Sequence, residues 1–326
     1  MVRRAETTVT LPLRAVVAIA LAWLATCALA QTFPNGPISV VVPLAPGDAA
    51  DISARTMGEE ISKALNTPVV AINRPGAGGA VAAASVVQAK KDGQTLLFAQ
   101  NSALTFRVVL EPQAVAYDPQ RDLVPLGITS RTPSVLVVRS DAPYKTFVEL
   151  VDYAKKNPGK LRIGHPGVGS VGDFCVQQIN ALAGTDLLGV PYTGAAPAVA
   201  ALRGEQIEGV VLALGALSAH IKAGTFRPLV ASSPDLSGVP TLRSLGYKDD
   251  LFGVWFSFLA PAGIPEPARK ALVEAIEQAA KSPAVAARLA PLGIVQSYAG
   301  PEQLAAEIRE ETRRVGEMAR KTGLGK

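Results

Sequence analysis

Cysteine and histidine are almost absent from this chain, with two of each in 326 residues. Cys27 falls in an N-terminal apolar segment, so Cys175 stands alone beyond it and no intramolecular disulfide is expected. Cys175 sits in Phe174-Cys175-Val176, the setting of a buried, inert thiol. His165 and His220 are too few for a histidine-rich metal centre, and no metal is expected. Aromatic residues are scarce at 5%, against 48% hydrophobic residues overall, a balance that suits an Ala/Val-rich α/β protein. Charge is also sparse. The formal net charge of +5 is mild and scattered, so it makes no case for a nucleic-acid partner, and none is expected. A modest positive field does favour an anionic ligand. Beyond residue 30 no apolar run approaches the roughly 20 residues of a membrane-spanning helix. There is no Gly-x-Ser-x-Gly elbow and no P-loop.

The N-terminus reads as an export leader. Arg3 and Arg4 form a positive start, Ala15 to Ala25 an apolar core, and Ala28-Leu29-Ala30 a small-x-small cleavage site. Residues 1–30 are therefore expected to be a signal peptide, with the mature chain beginning near Gln31. Thr26 fits poorly in the lipoprotein box before Cys27, so cleavage after Ala30 is preferred to lipidation.

What is present begins with Ile38-Ser39-Val40-Val41-Val42, a β-branched run suited to a strand buried on both faces. Pro43 stops it, and Ala45-Pro46-Gly47 is turn chemistry. Asp48 or Asp51 then caps a helix through Ile52, Met57, Ile61 and Leu65. Strand, tight loop and helix N-terminus together offer free N–H groups and a positive dipole end to a small anion. A single loop of this kind is more often an ordinary βα turn than a binding site.

The same alternation continues along the chain. Strands are expected at 68–72, 95–99, 123–129 and 134–138, with a helix from Val81 to Gln88. Arg131-Thr132-Pro133 marks a first crossing between domains. Further strands fall at 161–164, 187–190, 207–214 and 227–231. Helices fall at Phe147–Lys156, from Asp173, at Pro197–Arg203 and at Ala216–Ala223. Phe252 to Ala260 should return to the first domain, and helices Glu266–Ala280 and Pro301–Thr322 close the chain. Strands alternating with helices through short loops imply parallel sheets covered by helices. The expected fold is α/β, with residues 31–132 and 254–326 in one domain and 133–253 in the other. A ligand cleft lies between them, at the C-terminal ends of the strands.

Two chemistries compete with simple binding. Gly167-Val168-Gly169-Ser170-Val171-Gly172 matches the dinucleotide fingerprint G-x-G-x-x-G. No acid ends the following strand, where Pro191-Tyr192-Thr193 stands, and an exported protein lies outside the nicotinamide pool, so no cofactor is expected. Ser170 lies near His165 and Asp173 in sequence, but a triad needs convergence in space. No catalytic residue is assigned. The loops at 43–51, 76–79, 167–172 and 192–196 instead supply N–H groups suited to holding a small anion.

The ordered motifs then carry a resemblance. Val42-Pro43-Leu44-Ala45-Pro46-Gly47, Asn73-Arg74-Pro75-Gly76-Ala77-Gly78-Gly79, Tyr117-Asp118-Pro119 and Asn157-Pro158-Gly159 come first. Val190-Pro191-Tyr192-Thr193-Gly194-Ala195, His220-Ile221-Lys222-Ala223-Gly224 and Leu259-Ala260-Pro261-Ala262-Gly263 follow. Together they resemble the Bug family, the extracytoplasmic receptors of tripartite tricarboxylate transporters. The resemblance covers essentially the whole chain beyond the leader. It implies a periplasmic type II binding protein, a monomer, that passes a small organic acid to membrane transporter subunits or to a sensor protein. It places ligand contacts at Leu44, Ala45, Gly47, Asp48, Ala49, Gly78, Gln100 and Asn101 in the first domain. In the second it places them at Gly169, Ser170, Val171, Tyr192, Thr193, Gly194, Ala195 and Leu212.

Departures from the family pattern bear on the ligand. Leu44 stands where the family has Phe, and Asp48 where it has a second Gly. Val171 replaces a hydroxyl residue, and Leu212-Ala213 replaces Asp-Asn. A charge at Asp48 opposes a carboxylate unless the side chain turns away to cap the helix. With Leu212 at the acidic position, an ammonium group lacks its partner. The expected ligand is a non-amino carboxylate with an apolar or aromatic body resting on Leu44, Val171 and Leu212. The rival readings are a sensory receptor on the same fold and an extracytoplasmic hydrolase using Ser170.

Overall fold

The computed structural model describes residues 33–234 and 236–323; the expected leader and Cys27 lie outside the described residues. The first domain opens with β1 (Ile38–Val42), α1 (Ala49–Leu65), β2 (Val69–Asn73), α2 (Ala80–Val87) and β3 (Thr95–Gln100). A π-helical turn (Ser102–Phe106), α3 (Arg107–Leu110), α4 (Pro119–Asp122) and β4 (Leu123–Thr132) follow. The second domain contains β5 (Ser134–Arg139), α5 (Phe147–Lys156), β6 (Arg162–His165), α6 (Val171–Ala183) and β7 (Leu188–Pro191). It continues with α7 (Ala195–Arg203), β8 (Gly209–Ala213), α8 (Leu214–Lys222) and β9 (Phe226–Ala231). The chain then returns through β10 (Val254–Pro261), α9 (Glu266–Ala280), α10 (Pro283–Leu289), β11 (Val295–Ala299) and α11 (Pro301–Thr322).

Two sheets result. The first has the order β11-β4-β10-β3-β1-β2 and the second β7-β6-β8-β5-β9. The chain changes sheet at Pro133, between β4 and β5, and again between β9 and β10. The βα units pair in parallel, β1 with β2 and β3, and β6 with β7 and β8. The expectation of purely parallel sheets needs correction. β10 runs antiparallel to β3 and β4, β11 to β4, and β5 to β8 and β9. A strand arriving from the other domain enters its sheet from the opposite end to the βα units, so it pairs antiparallel.

Local chemistry explains the elements that frame the cleft. β10 is buried along its whole length, as a central strand between two neighbours must be. On α1, Ala50, Ala54, Met57 and Ile61 recur with helical spacing and are all buried. The helix stops at Asn66, which adopts the left-handed conformation. The helices expected at Phe147–Lys156, Glu266–Ala280 and Pro301–Thr322 have those bounds. Three of the scarce aromatics meet where the domains join. Phe106 from the first domain, Phe174 on α6 and Phe252 before β10 contact one another edge to face, with centroids 5.2–5.4 Å apart. Cys175 lies beside them, fully buried, with burial pushing its thiol up to about 12. Among the described residues no helix is long and apolar enough to cross a membrane.

Candidate functional site

A cavity of about 470 Å³ lies between the two sheets. Its wall is built from the loop after β1, the loop before α2 and the end of β3 on one side. The starts of α6, α7 and α8 form the other side. Ser134 and Val254, at the two crossings, also reach the cavity, as do Ile52, His220 and Leu292.

Five helix N-termini border the cavity, because Gly79 on the wall is also the uncapped start of α2; the other four fall into two pairs. The start of α1 is closed by its own acids. Asp48 Oδ1 accepts from the Ala50 N–H at 3.1 Å, and Asp51 Oδ2 accepts from the Gly47 N–H at 2.9 Å. Asp51 is held in turn by Arg55 Nε at 3.0 Å and Asn73 Nδ2 at 2.8 Å. The start of α6 is likewise closed. Ser170 Oγ accepts from the Asp173 N–H at 3.2 Å, and Asp173 Oδ2 accepts from the Gly169 N–H at 2.8 Å. By contrast, α7 begins after Gly194 and α8 after Ala213, and neither has a side-chain cap. The first loop was expected to offer free N–H groups to an anion, and that expectation needs correction at Gly47 and Ala50. Their N–H groups already meet Asp51 and Asp48.

The two adjacent acids differ in electrostatics. Burial raises the Asp48 carboxyl above its ordinary value; the Ala50 N–H offsets this in part, and Asp51 adds to it. Burial also works to raise Asp51, but the bonds from Arg55, Gly47 and Asn73 outweigh it and hold that carboxyl low. Asp48 and His220 are the ionisable side chains on the cavity wall among the described residues. The His220 ring is stacked on Phe226, with centroids 4.7 Å apart.

Most of the expected contact residues meet at the cavity. Leu44, Ala45, Gly47, Asp48, Ala49, Gly78 and Gln100 line it from the first domain. Ser170, Val171, Thr193, Gly194, Ala195 and Leu212 line it from the second. Asn101, Gly169 and Tyr192 do not. Asn101 is fully buried, and its Nδ2 donates to the Gly253 carbonyl and to Glu311 Oε1. Gly169 packs on Arg107, close enough that an added Cβ would lie 2.8 Å from Cδ of that residue. Tyr192 packs into the core of the second domain. Sequence reasoning missed Ile52, Ser134, His220, Val254 and Leu292 as wall residues. Leu292 comes from a 3-10 turn after α10 and is brought in only by the tertiary path of the chain.

The triad geometry is not formed as a hydrolase would need it. His165 is buried with Nδ1 3.1 Å from the Gly167 carbonyl and Nε2 3.7 Å from Asp173 Oδ1. Burial lowers its pKa, against Asp173 and the Gly167 carbonyl, which raise it. The Ser170 oxygen is engaged as the cap of α6.

Residues 53–324 match the family model described as tripartite tricarboxylate transporter family receptor. Protein BugT of Bordetella pertussis is 31% identical over 310 residues, covering 94% of this chain and 95% of its own. MatC of Rhodopseudomonas palustris, solved with bound malate, is 31% identical with a TM-score of 0.80, covering 88% of this chain and 99% of its own. An R. palustris protein solved with adipate is 25% identical with a TM-score of 0.83, covering 90% of this chain and 99% of its own.

Proposed function

The chain belongs to the tripartite tricarboxylate transporter receptor family, and from that premise we propose that it captures a small organic carboxylate in the periplasm for a membrane transporter of the tripartite type. The observation that carries the reading is the cavity between the two sheets, bordered by the N-termini of α1, α6, α7 and α8. Helix N-termini attract negative charge, and a cleft that closes around its ligand suits capture and release. Related proteins solved with malate and with adipate support a carboxylate as the ligand class.

The protein acts as a monomeric binding protein without turnover. It reaches the periplasm through the leader in residues 1–30. Residues 31–132 with 254–326 form one jaw and residues 133–253 the other. The contact set comprises the expected residues that line the cavity, from Leu44 to Leu212, with Ile52, His220 and Leu292 added.

Thermal unfolding of the mature chain against a panel of organic acids tests this. An acid present at 100 times its Kd should add about 2.7 kcal/mol of stability. The same acid should be taken up by cells that carry the receptor and not by cells that lack it. No stabilisation by any acid in the panel would overturn the reading.

A further inference from the structure

We propose that His220 is a specificity-determining residue of this cavity, taking up a proton as an organic carboxylate is captured, an inference that rests on the carboxylate-receptor reading. Among the described residues the wall carries no lysine or arginine. The uncapped starts of α2, α7 and α8 border the cavity with N–H dipoles, and Gln100 and Ser134 add neutral polar groups. These serve an anion wherever it docks, but none of them changes its charge. The ionisable side chains of the wall are Asp48, from one jaw, and His220, from the other. Of the two, only His220 can become a cation. An anion taken out of water favours a positive charge nearby, so capture draws a proton onto the imidazole.

The ring is placed for this. His220 stands on α8 one turn after Ala216, and both residues line the cavity. The imidazole stacks on the buried Phe226, and its Nδ1 lies 3.5 Å from Thr225 Oγ1. The Thr225 hydroxyl donates to the His220 carbonyl oxygen at 3.1 Å, so towards Nδ1 it can only accept. The neutral ring therefore keeps its proton on Nδ1, and Nε2 takes up the second one.

The other charges nearby stand apart from the cavity. The elements packed against α8 are α7, β8, β9 and the turn at 290–292. Their ionisable side chains are Arg203, exposed at the end of α7, and Arg227, which donates to the Ser140 carbonyl; neither is on the wall. Lys222, on α8 itself, is exposed and also off the wall. Across the cleft, Asp51 is paired with Arg55, which leaves Asp48 as the one acid that shares the wall with His220. Histidine changes charge between about pH 5 and 8, where a carboxylate ligand stays ionised. A proton bound together with the ligand makes capture tighter at the acidic end of that window.

Calorimetry on the mature chain with malate, adipate and hexanoate at pH 6.5 and pH 8.5 tests the proposal. An acid that binds should bind about fivefold more weakly at pH 8.5 than at pH 6.5. Titrations at pH 7 in phosphate and in Tris, buffers that differ in ionisation heat, should report proton uptake. His220→Gln should abolish the uptake and bind equally at both pH values. His220→Lys, charged throughout, should lose the slope and keep the tighter affinity. Asp48→Asn keeps a good helix cap and should retain the wild-type slope. Equal wild-type affinity at both pH values with no proton uptake would overturn the proposal and leave the receptor reading standing. A slope that persists in His220→Gln, or one that vanishes in Asp48→Asn, would give the proton to another group and equally overturn it. If none of the acids binds at either pH, the receptor reading falls and this proposal with it.

Discussion

The Thr105 hydroxyl oxygen lies 2.7 Å from Glu311 Oε2 and 2.9 Å from the carbonyl oxygen of Asn101. Both neighbours are acceptors when Glu311 is ionised, and a hydroxyl has one hydrogen to give. All three groups are satisfied if Glu311 holds a proton, donates it to Thr105, and Thr105 donates to Asn101. The other Glu311 oxygen accepts from Asn101 Nδ2 at 3.1 Å and Trp255 Nε1 at 3.2 Å. Burial points the same way, raising this carboxyl from 4.5 to about 7 against the three hydrogen bonds that favour its charge, with nearby Glu307 adding a little. The group ties α11 to the π-helical turn directly behind Gln100 and Ser102 on the cavity wall.

Stability should therefore fall with rising pH through this group. Between pH 4.5 and about 7 the folded state binds a proton that the unfolded chain releases. The contribution is fully present below pH 4.5 and is lost as pH passes 7, by roughly 3 kcal/mol in all. Glu311→Gln imitates the protonated form, with its amide donating to Thr105 and its oxygen accepting from Asn101 and Trp255. Urea unfolding should find the variant equal to wild type near pH 5 and about 1–3 kcal/mol more stable near pH 8. A wild-type slope that persists in the variant would assign the pH dependence to other groups.

Arg107 joins the domains on one flank of the cavity. Its Nη1 donates to the Val168 carbonyl at 3.1 Å, and Nη2 pairs with Glu111 at 2.8 Å. The guanidinium lies over Gly169, where any side chain would collide with it. Arg107→Met keeps the packing and removes the bond across the cleft. A hydrogen bond to a charged group contributes about 1.5–3 kcal/mol, so ligand release should speed by about tenfold or more. Stopped-flow displacement measures this; an unchanged release rate would show that the flank opens elsewhere.

The sequence made the framework legible because its signals are local. The β-branched run at 38–42, the Pro-Gly loop after it and the cap at Asp48 lie within a few residues of each other, and each appears where expected. The departures at Leu44 and Leu212 also fall on the cavity wall. What stayed hidden depends on tertiary path. Asn101 looks like a pocket residue by position, yet Glu311, 210 residues later, claims its side chain. β11 has a mixed Val-Gln-Ser-Tyr-Ala sequence with no strict alternation, and only pairing with β4 makes it a strand. The reversed directions of β5 and β10 follow from the two crossings, which no local pattern records.

Asp48 and Asp51 should respond differently to substitution. Asp48 makes one capping bond, and asparagine caps as well, so Asp48→Asn should change stability by less than about 1 kcal/mol. Asp51 is buried and accepts from Gly47, Arg55 and Asn73. Asp51→Ala strands those donors and should cost about 2–4 kcal/mol. Its carboxyl is held low, so this stability is present above about pH 4 and is lost as pH falls through the depressed value. Equilibrium unfolding of both variants at pH 7 is the measurement; equal losses would contradict the division between a cap and a hub.

The other flank of the cavity is closed by glycine. A Cβ on Gly215, near the start of α8, would run into the Leu292 carbonyl oxygen, and one on Gly293 would lie 2.9 Å from Leu214 Cγ. Gly215 and Leu292 both line the cavity, and they belong to opposite jaws. A larger residue at 215 can be accommodated by opening the cleft, because the hinge at Pro133 and before β10 leaves each domain's own core intact. Gly215→Val should therefore act on closure more than on folding. If it reduces the closed population to about one tenth, the apparent Kd rises about tenfold. Small-angle scattering should show wild type contracting as a ligand found in the thermal screen is titrated in, and Gly215→Val needing about ten times more of the same ligand to contract equally. Equal contraction in both proteins would mean that the Gly215–Leu292 contact does not govern closure.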